Sequence, residues 1–418
     1  MNFKEFLFHR QISAGIVAAG YSTPTPIQAR AIPKIMQGCD LMGLAQTGTG
    51  KTAAFVLPIL HRLLHGQRGR VRALIIAPTR ELAEQIHQAI ELLGSKTGLR
   101  SVAVYGGVGI QPQILLLKRS DIVVACPGRL LDHINRQTVD LSNLEVLVID
   151  EADQMFDMGF LPDIRRILGH LPTQGRQTLL FSATMPGPLL HLADEILKDP
   201  IKIQIDHDAP ANTVSHTFFP VARHLKTALL VKLLGESGSG AILIFTRTKS
   251  RARQLEGKLA SAGFRSTSLQ GNLSQSRRHE AMQGFKSGKY QILVATDIAA
   301  RGIDVSGISH VINYDVPSTP EAYIHRIGRT GRAARRGEAF TLVSDEDPKL
   351  VKAIRNVIGN PVEQRILSGF DDPAPSTNQT GRFGRPRLSQ RFQARSSRGK
   401  KGKPPFRPRT SALATNPR

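Results

Sequence analysis

The chain contains little cysteine and no long hydrophobic run, and each absence excludes a class of protein. Cys39 and Cys126 are its only cysteines, far apart and without His or Cys at metal-ligand spacing nearby. A disulfide framework and a zinc site are therefore not expected. No apolar window reaches the roughly 18 residues of a membrane span, and MNFKEFLFHR at the N-terminus interleaves charges where a signal peptide has an apolar core. We expect a protein that stays in the cytoplasm and has no membrane partner.

Acidic residues are also few, since 33 Asp and Glu face 56 Lys and Arg, for a net charge of +23. This sign indicates a polyanionic partner, usually nucleic acid and less often an acidic membrane. Residues 371–418 hold 12 Lys and Arg against two acidic residues, with very few aliphatic residues. Such a segment cannot build a core. We interpret residues 369–418 as a disordered tail with salt-sensitive nucleic-acid contact; a merely solubilising tail is the alternative.

The stretch Ala45–Thr52, AQTGTGKT, has the composition of a phosphate-binding loop. It lies between an apolar run typical of a buried strand and an amphipathic helix, and its glycines allow main-chain N–H groups to face anionic oxygens at the helix N-terminus. Lys51 would reach the β- and γ-phosphates of a nucleotide, and the Thr52 hydroxyl would bind Mg²⁺. The general motif has Gly where this chain has Ala45, so a glycine-rich surface turn is the alternative. The residues predicted to surround the phosphates are Thr47, Gly48, Thr49, Gly50, Lys51 and Thr52.

A second acidic element favours the nucleotide interpretation. The apolar run Leu144–Ile149 leads directly into Asp150, Glu151, Ala152 and Asp153. A carboxylate at the end of a buried strand is where a P-loop ATPase holds its metal ion. We therefore expect Asp150 to bind Mg²⁺, partly through water.

Short β-rich runs alternate with helical stretches along two regions of the chain. In residues 1–205 this alternation predicts an α/β domain with a parallel sheet covered by helices on both faces. A polar, proline-containing segment at residues 206–212 is interpreted as a linker, and the alternation resumes over residues 213–368. The second domain has no glycine-lysine-threonine loop, so we expect one nucleotide site shared by two lobes. The β-rich runs are 71–77, 101–105, 121–125, 144–149, 178–181, 201–205, 214–221, 241–245, 265–269, 291–295, 310–314 and 339–343.

An ordered set of short motifs resembles the DEAD-box ATP-dependent RNA helicases over about residues 1–368. In the first domain these are GYSTPTPIQ (20–28), AQTGTGKT (45–52), PTREL (78–82), GG (106–107), PGR (127–129), DEAD (150–153) and SAT (182–184). The second domain supplies IFTRT (244–248), QSRR (275–278), ATDIAARGID (295–304) and HRIGRTGR (325–332). The resemblance implies two tandem RecA-like domains, and the compact N-terminus and short basic tail are most similar to the bacterial RhlE type.

Two departures from the family pattern stand out. Cys126 precedes Pro127 where the family usually has Thr, which removes a hydroxyl that would bond an RNA phosphate. Gln270-Gly271-Asn272 replaces the common His-Gly-Asp. The effect of both changes on RNA affinity is open.

The resemblance also implies roles at the nucleotide site. Gln28 both donates and accepts, which suits the N6 and N7 edge of adenine, and Phe3 stands where the family places a ring that stacks on the base; without the family, Phe3 would be an ordinary core residue. Together, Gln28 and Phe3 predict ATP rather than GTP, and Asp304 resembles the family's ribose contact. Glu151 would orient or deprotonate the attacking water.

Further roles connect the two lobes. Asp153 would couple lobe closure to the metal site through Ser182, Thr184 and His325, the alternative being that Asp153 and Ser182 simply cap the adjacent turns. The spacing of Arg329 and Arg332, three residues apart, predicts two neighbouring guanidinium groups that act as arginine fingers on the γ-phosphate.

RNA contact is expected from loops on one side of both sheets. Glycines allow N–H groups to approach phosphates, and Arg and Thr bind phosphate oxygens without reading bases, so the binding of single strands should be sequence-tolerant. The 2′-hydroxyl would favour RNA over DNA. The predicted residues are Pro78, Thr79, Arg80, Gly106, Gly107, Gly128 and Arg129 in the first lobe and Thr248, Gly271, Arg278, Thr296 and Gly302 in the second.

The resulting hypothesis is an RNA-stimulated ATPase that unwinds or remodels RNA duplexes and RNA–protein complexes, with a role in ribosome assembly or RNA turnover. ATP and single-stranded RNA would together close the lobes and bend the strand. A DNA-directed helicase and an ATP-gated RNA clamp or annealing chaperone that acts mainly through the basic tail are the alternatives. A monomer is the default, and ribosomal-precursor or RNA-decay proteins are the expected partners. The RNA substrate and any partner of the tail are not determined by the sequence.

Overall fold

The computed structural model describes residues 2–46, 48–205, 214–238, 240–300, 305, 307–331, 337–358 and 362–368. All of them belong to one compact unit, Met1–Asp372. The predictions for Thr47, Gly302, Asp304, Arg332, the linker and residues 369–418 lie outside the described residues.

A parallel seven-stranded sheet organises residues 2–205, called the first lobe below, in the order β3-β4-β2-β5-β6-β1-β7. Alternate residues of one strand enter two separate cores: Ala73 and Ile75 pack on one face, and Leu74 and Ile76 pack on the other. Helices therefore cover both faces, which explains the continuous apolar runs of the strands. The strands are β1 (Leu41–Leu44), β2 (Ala73–Ile76), β3 (Ser101–Val104), β4 (Ile122–Ala125), β5 (Val146–Ile149), β6 (Gln177–Ser182) and β7 (Ile201–Gln204).

The helices of the first lobe begin with a short 3-10 helix, Phe3–Phe6, whose N-terminal amides are capped by Asn2 and Glu5. The α-helices are α1 (Arg10–Ala18), α2 (Pro26–Met36), α3 (Lys51–Leu63), α4 (Arg80–Leu93), α5 (Ile110–Leu117), α6 (Pro127–Asn135), α7 (Ala152–Asp157), α8 (Leu161–Leu168) and α9 (Gly187–Ile196).

A second parallel sheet organises the described residues between 214 and 368, called the second lobe, in the order β10-β11-β9-β12-β13-β8-β14. Strand for strand, this order repeats that of the first sheet. Its strands are β8 (Val214–Pro220), β9 (Ala241–Thr246), β10 (Ser266–Leu269), β11 (Ile292–Thr296), β12 (Ile308–Asn313), β13 (Gly337–Val343) and β14 (Glu363–Gln364). Its helices are α10 (Lys226–Glu236), α11 (Lys249–Ser261), α12 (Gln275–Lys286), α13 (Asp297–Ala300), α14 (Pro320–Ile327) and α15 (Pro348–Ile358).

The two sheets confirm the predicted α/β class with two tandem parallel-sheet lobes. Because β5, β6 and β1 are neighbours and parallel, their carboxyl ends meet at one edge of the first sheet. The loop after β1, the acidic run after β5 and the SAT segment after β6 therefore lie together. Among the described residues, no helix combines the length and the apolar composition that a bilayer crossing needs.

Candidate active site and nucleic-acid interface

The loop between β1 and α3 has the predicted strand–turn–helix form. Gly48 and Gly50 both have positive φ, and Gly50 is the N-cap of α3. A Cβ on Gly50 would lie 2.5 Å from the Gln28 amide nitrogen. Glycine is therefore required at position 50 both for the turn and for the close approach of Gln28.

Gln28 ties the segment before α2 to this loop. Its Nε2 donates to the Gly50 carbonyl at 3.0 Å, and its Oε1 accepts from the Thr25 amide at 2.9 Å. Each atom can make one further hydrogen bond, so adenine recognition stays a prediction for this side chain.

Phe3 is buried and its ring centroid lies 6.0 Å from that of the exposed Tyr21. Base stacking by Phe3 likewise stays a prediction.

Lys51 is the first residue of α3 and is buried. Its Nζ donates to the Ala45 carbonyl at 2.8 Å, across the base of the loop. Thr49 closes the same turn by donating to the Gln46 carbonyl. The lysine ammonium thus lies inside the loop that was predicted to hold phosphates.

Asp150 and Glu151 follow β5 and are both 2% exposed. The pKa of Asp150 is raised to about 7, chiefly by burial; the nearby Lys51 lowers it, and Glu151 and Asp153 contribute to raising it. Glu151 is held in the left-handed region, with φ 52°, as the N-cap of α7. A buried carboxylate whose charge is so poorly compensated suits a site that receives a cation.

Asp153 is the centre of a hydrogen-bond network with the SAT segment. Its Oδ2 accepts from the Thr184 amide at 2.9 Å and from the Ala183 amide at 3.1 Å, while its own amide donates to Ser182 Oγ at 3.1 Å. The Ser182 hydroxyl donates to the Thr184 carbonyl rather than to Asp153. The carboxylate thus caps the backbone of the SAT segment, and its coupling role stays a prediction.

His325 reaches this network from the second lobe. Its Nε2 lies 3.9 Å from Asp153 Oδ2, an ion-pair distance when the imidazole is protonated. All four predicted coupling residues are thus brought together, with His325 and Asp153 on opposite lobes. The neighbouring Arg326 is buried, pairs with Asp297 and donates to the Asn313 side chain, so it stabilises the second lobe internally.

Arg329 is 4% exposed and, with Gln154, Asp157 and His325, lines a small cavity between the lobes. Helix α14 ends at Ile327, so Arg329 lies in the following turn. Because Arg332 lies outside the described residues, the prediction that the two guanidinium groups are neighbours stays a prediction. Finger roles for both arginines stay predictions that rest on the motif alone.

The predicted RNA-binding loops of the first lobe follow β2, β3 and β4. Thr79 caps α4 and Arg80 begins it. Gly107, with φ 83°, lies against Arg80, since a Cβ there would be 2.2 Å from the guanidinium. Arg129 donates to the Val108 carbonyl. Arg80 and Arg129, in the first turns of α4 and α6, thus contact neighbouring residues of the loop after β3; Pro78 is buried, Gly106 is half-buried, and Gly128, in the first turn of α6, is exposed.

In the second lobe, the described RNA-binding candidates lie at or after the carboxyl ends of β9, β10 and β11. Thr248 caps α11, Thr296 is the last residue of β11, and Gly271 lies against Lys249. Lys249 Nζ donates to the Asn272 side chain at 3.3 Å. Arg278 instead pairs with Glu81 of the first lobe, and its RNA contact stays a prediction.

Two residues of the interlobe contact were missed from the sequence. Glu81 binds Arg278, with 2.7 Å from Nε and 2.6 Å from Nη2 to its Oε1. Gln275 Oε1 accepts from Arg80 at 3.4 Å. Glu81 lies in the PTREL motif and Gln275 in the QSRR motif. Each is a polar residue close in sequence to a predicted RNA-binding arginine, and this proximity was the only signal in the sequence for the interlobe contact.

Two protein-family models match the chain in order. Residues 25–192 match the DEAD/DEAH box helicase family and residues 225–334 match the helicase conserved C-terminal domain.

Similar proteins cover nearly the whole chain. The DEAD-box ATP-dependent RNA helicase RhpA of Helicobacter pylori is 42% identical over 90% of this chain and 76% of its own length. The ATP-dependent rRNA helicase RRP3 of Candida glabrata is 42% identical over 92% of this chain and 79% of its own. Among solved structures, S. cerevisiae Dbp5 bound to RNA and ADP BeF3 is 30% identical in sequence to this chain. The match covers 87% of this chain and 95% of the Dbp5 chain, with a TM-score of 0.80.

The P-loop, the DEAD run after β5, the interlobe network and these likenesses agree: the chain belongs to the DEAD/DEAH box helicase family, as a DEAD-box ATP-dependent RNA helicase built on two RecA-like lobes.

Proposed function

We propose that this helicase couples ATP binding and hydrolysis to local unwinding or remodelling of RNA duplexes and RNA–protein complexes. The observation that carries the proposal is the double connection between the lobes. Asp153 faces His325 beside the nucleotide loop, and Glu81 binds Arg278 beside the predicted RNA loops. A change at either site alters the stability of the same closed arrangement, so nucleotide and RNA binding favour one another.

Magnesium fits the residues present. The Thr52 hydroxyl and the Asp150 carboxylate are hard oxygen ligands of the kind Mg²⁺ prefers, and water and phosphate oxygens would complete its shell. When bound, the ion would neutralise phosphate charge. The buried, poorly compensated Asp150 supports this assignment.

The protein side chains have distinct tasks in the proposed reaction. Lys51 neutralises charge on the β- and γ-phosphates, and Glu151 orients the attacking water and accepts its proton. Arg329, buried at the lobe boundary, neutralises charge on the transferred phosphoryl group only when the lobes are closed. Closure also excludes water from the site, which strengthens each of these interactions.

The biological substrate is proposed from likeness. RRP3, a similar protein, is an rRNA helicase by name, so ribosome assembly is the first process to test and RNA turnover the second. We further propose the RhlE subtype, monomers in the cytoplasm, and domain boundaries at 1–205, 213–368 and 369–418.

Steady-state ATPase activity without nucleic acid, with single-stranded RNA and with matched DNA, at one salt concentration, tests the proposal. Stimulation by RNA alone is expected. Equal or stronger stimulation by DNA would favour a DNA-directed helicase instead.

An annealing chaperone that works through its basic tail is the second candidate, supported by the 12 Lys and Arg of residues 371–418. Deletion of these residues should leave unwinding of short duplexes intact. Loss of all RNA activity in the deletion variant would support the chaperone.

A further inference from the structure

Because the two sheets have the same strand order, each strand of the first lobe has a counterpart at the same position in the second lobe. Strand β8 takes the place of β1, β12 that of β5 and β13 that of β6. Helix α10 follows β8 as α3 follows β1, and both helices begin with a lysine, Lys226 and Lys51. In open parallel sheets ligands bind at the carboxyl edge of the strands, so the same edge of the second sheet is a candidate for a second site.

A cavity of 710 Å³ lies at this edge of the second sheet. Its walls are formed by the segments that follow β8, β9, β12 and β13. Small-molecule sites typically have volumes of roughly 300–1,000 Å³. The cavity is therefore large enough for a nucleotide-sized ligand or for several phosphate groups.

The polar groups on the floor of the cavity already have hydrogen-bond partners within the protein. Lys226 is 4% exposed and donates to the carbonyls of Leu342 at 2.9 Å and Tyr314 at 3.2 Å. Asp315 accepts from the Arg251 guanidinium at 2.5 Å and from the Arg247 amide at 2.8 Å. These groups maintain the shape of the cavity and leave ligand binding to its rim.

The rim is cationic and adaptable. Arg223 and Arg247 are 65% and 56% exposed, and Lys258 is exposed beside them. Arg223 pairs with Glu346, which is itself 63% exposed, so the pair is weak and the guanidinium is free to turn to a ligand. Around the whole cavity, five Lys and Arg face three carboxylates.

The connection from β8 to α10, residues 221–225, contains no glycine. Main-chain N–H groups are therefore not gathered as in a P-loop, and side chains must bind the ligand. We propose that this cavity is a phosphate-binding site of the second lobe, in which Arg223, Arg247 and Lys258 bind the phosphate oxygens. The phosphates come either from a free di- or polyphosphate or from the backbone of bound RNA, since Thr248, a predicted RNA contact, lines the same cavity. This goes beyond the proposed function, which places phosphate groups of a nucleotide only in the first lobe.

Calorimetric titration of the full chain with inorganic pyrophosphate tests the free-phosphate source. Wild type should bind at two sites. Lys51→Ala should remove one of them, and Arg223→Gln/Arg247→Gln should weaken the other at least tenfold. Arg365→Gln is the matched control, because Arg365 forms the same kind of exposed pair with Glu363, at 2.8 Å, and does not line the cavity.

Fluorescence anisotropy of a labelled single-stranded decauridylate over a series of salt concentrations tests the RNA source. If the rim binds backbone phosphates, the double variant should bind more weakly, and its salt slope should fall by about 0.7 for each lost contact. If the double variant loses affinity only for pyrophosphate, the site binds a free di- or polyphosphate. If it loses affinity only for RNA, the site binds phosphates of the RNA backbone.

If the double variant binds pyrophosphate and RNA as Arg365→Gln does, the proposal is overturned. Unchanged melting of the double variant shows that it is folded; if its melting temperature falls, Arg223→Gln alone repeats both titrations. RNA-stimulated ATPase activity is measured separately, so failure of the proposed function does not affect this outcome.

Discussion

Arg278 on α12 and Glu81 on α4 form an ion pair across the lobe boundary, with 2.6 Å between Nη2 and Oε1. Both side chains are nearly buried, at 12% and 11% exposed. Removing one partner of such a pair leaves the other charge desolvated and unpaired, which is costly. The pair is therefore well placed to stabilise the closed lobes.

We expect Glu81→Gln to raise the RNA concentration needed for half-maximal ATPase activity without changing the affinity for ATP in the absence of RNA, because the contact acts only when the lobes close. A double-mutant cycle with Arg278→Gln, measured on RNA binding in the presence of a nonhydrolysable ATP analogue, should give a coupling of about 1–3 kcal/mol. Arg165→Gln removes an exposed pair with Glu195 within the first lobe and is the control. Additive effects of the two substitutions would show that the contact does not contribute to closure.

Glu151→Gln should retain ATP and RNA binding but reduce turnover by at least about 100-fold, because the amide preserves shape and cannot accept a proton. Single-turnover hydrolysis and nucleotide binding, measured on the same preparation, separate the two effects. Near-normal hydrolysis would exclude Glu151 as the base.

Arg329→Ala should leave nucleotide affinity largely intact and slow turnover by about 10³-fold, as expected for a finger that acts in the transition state. Arg253→Ala, an exposed arginine of α11, is the control. An unchanged rate would argue against a finger role, and a lowered melting temperature would reveal that the buried Arg329 is chiefly structural.

Gly107→Ala should weaken RNA binding. An alanine there would have strained backbone geometry at φ 83°, and its Cβ would displace the Arg80 guanidinium. Gly187→Ala, at an open position at the start of α9, should bind RNA normally. Equal affinity of both variants in an anisotropy titration would contradict the role of this loop.

Stability should decrease on acidification partly through His133. Burial, and then the nearby Arg129 and Arg136, lower the pKa of this histidine, and Asp132 opposes them. Below about pH 6.5 the unfolded chain binds a proton that the folded His133 does not, so the free energy of unfolding falls as the pH falls. His133→Gln should have a flatter stability profile than wild type between pH 7 and pH 5 in denaturant titrations; an equally steep decline would exclude His133 as a contributor.

Local sequence was sufficient for the elements and for much of the nucleotide site. The apolar runs, the glycines of the loop after β1 and Asp150 directly after β5 depend only on neighbours along the chain. Parallel strands then bring their carboxyl ends to one edge whatever the rest of the chain does. The sequence did not show that α14 ends at Ile327, before Arg329, because the end of a helix is set by a few backbone hydrogen bonds.

By itself, then, the sequence determined the class of fold, the phosphate loop and the acidic run, because each is encoded within about ten adjacent residues. Only the tertiary structure decided that Glu81 would pair with Arg278, that Asp153 would face His325, and that the second sheet would have a cavity where the first has its nucleotide loop. These pairings join residues distant in the chain, and their energy depends on burial and approach between lobes. Neither the burial of these side chains nor the distance between the lobes can be read from the periodicity or the motif spacing of the sequence.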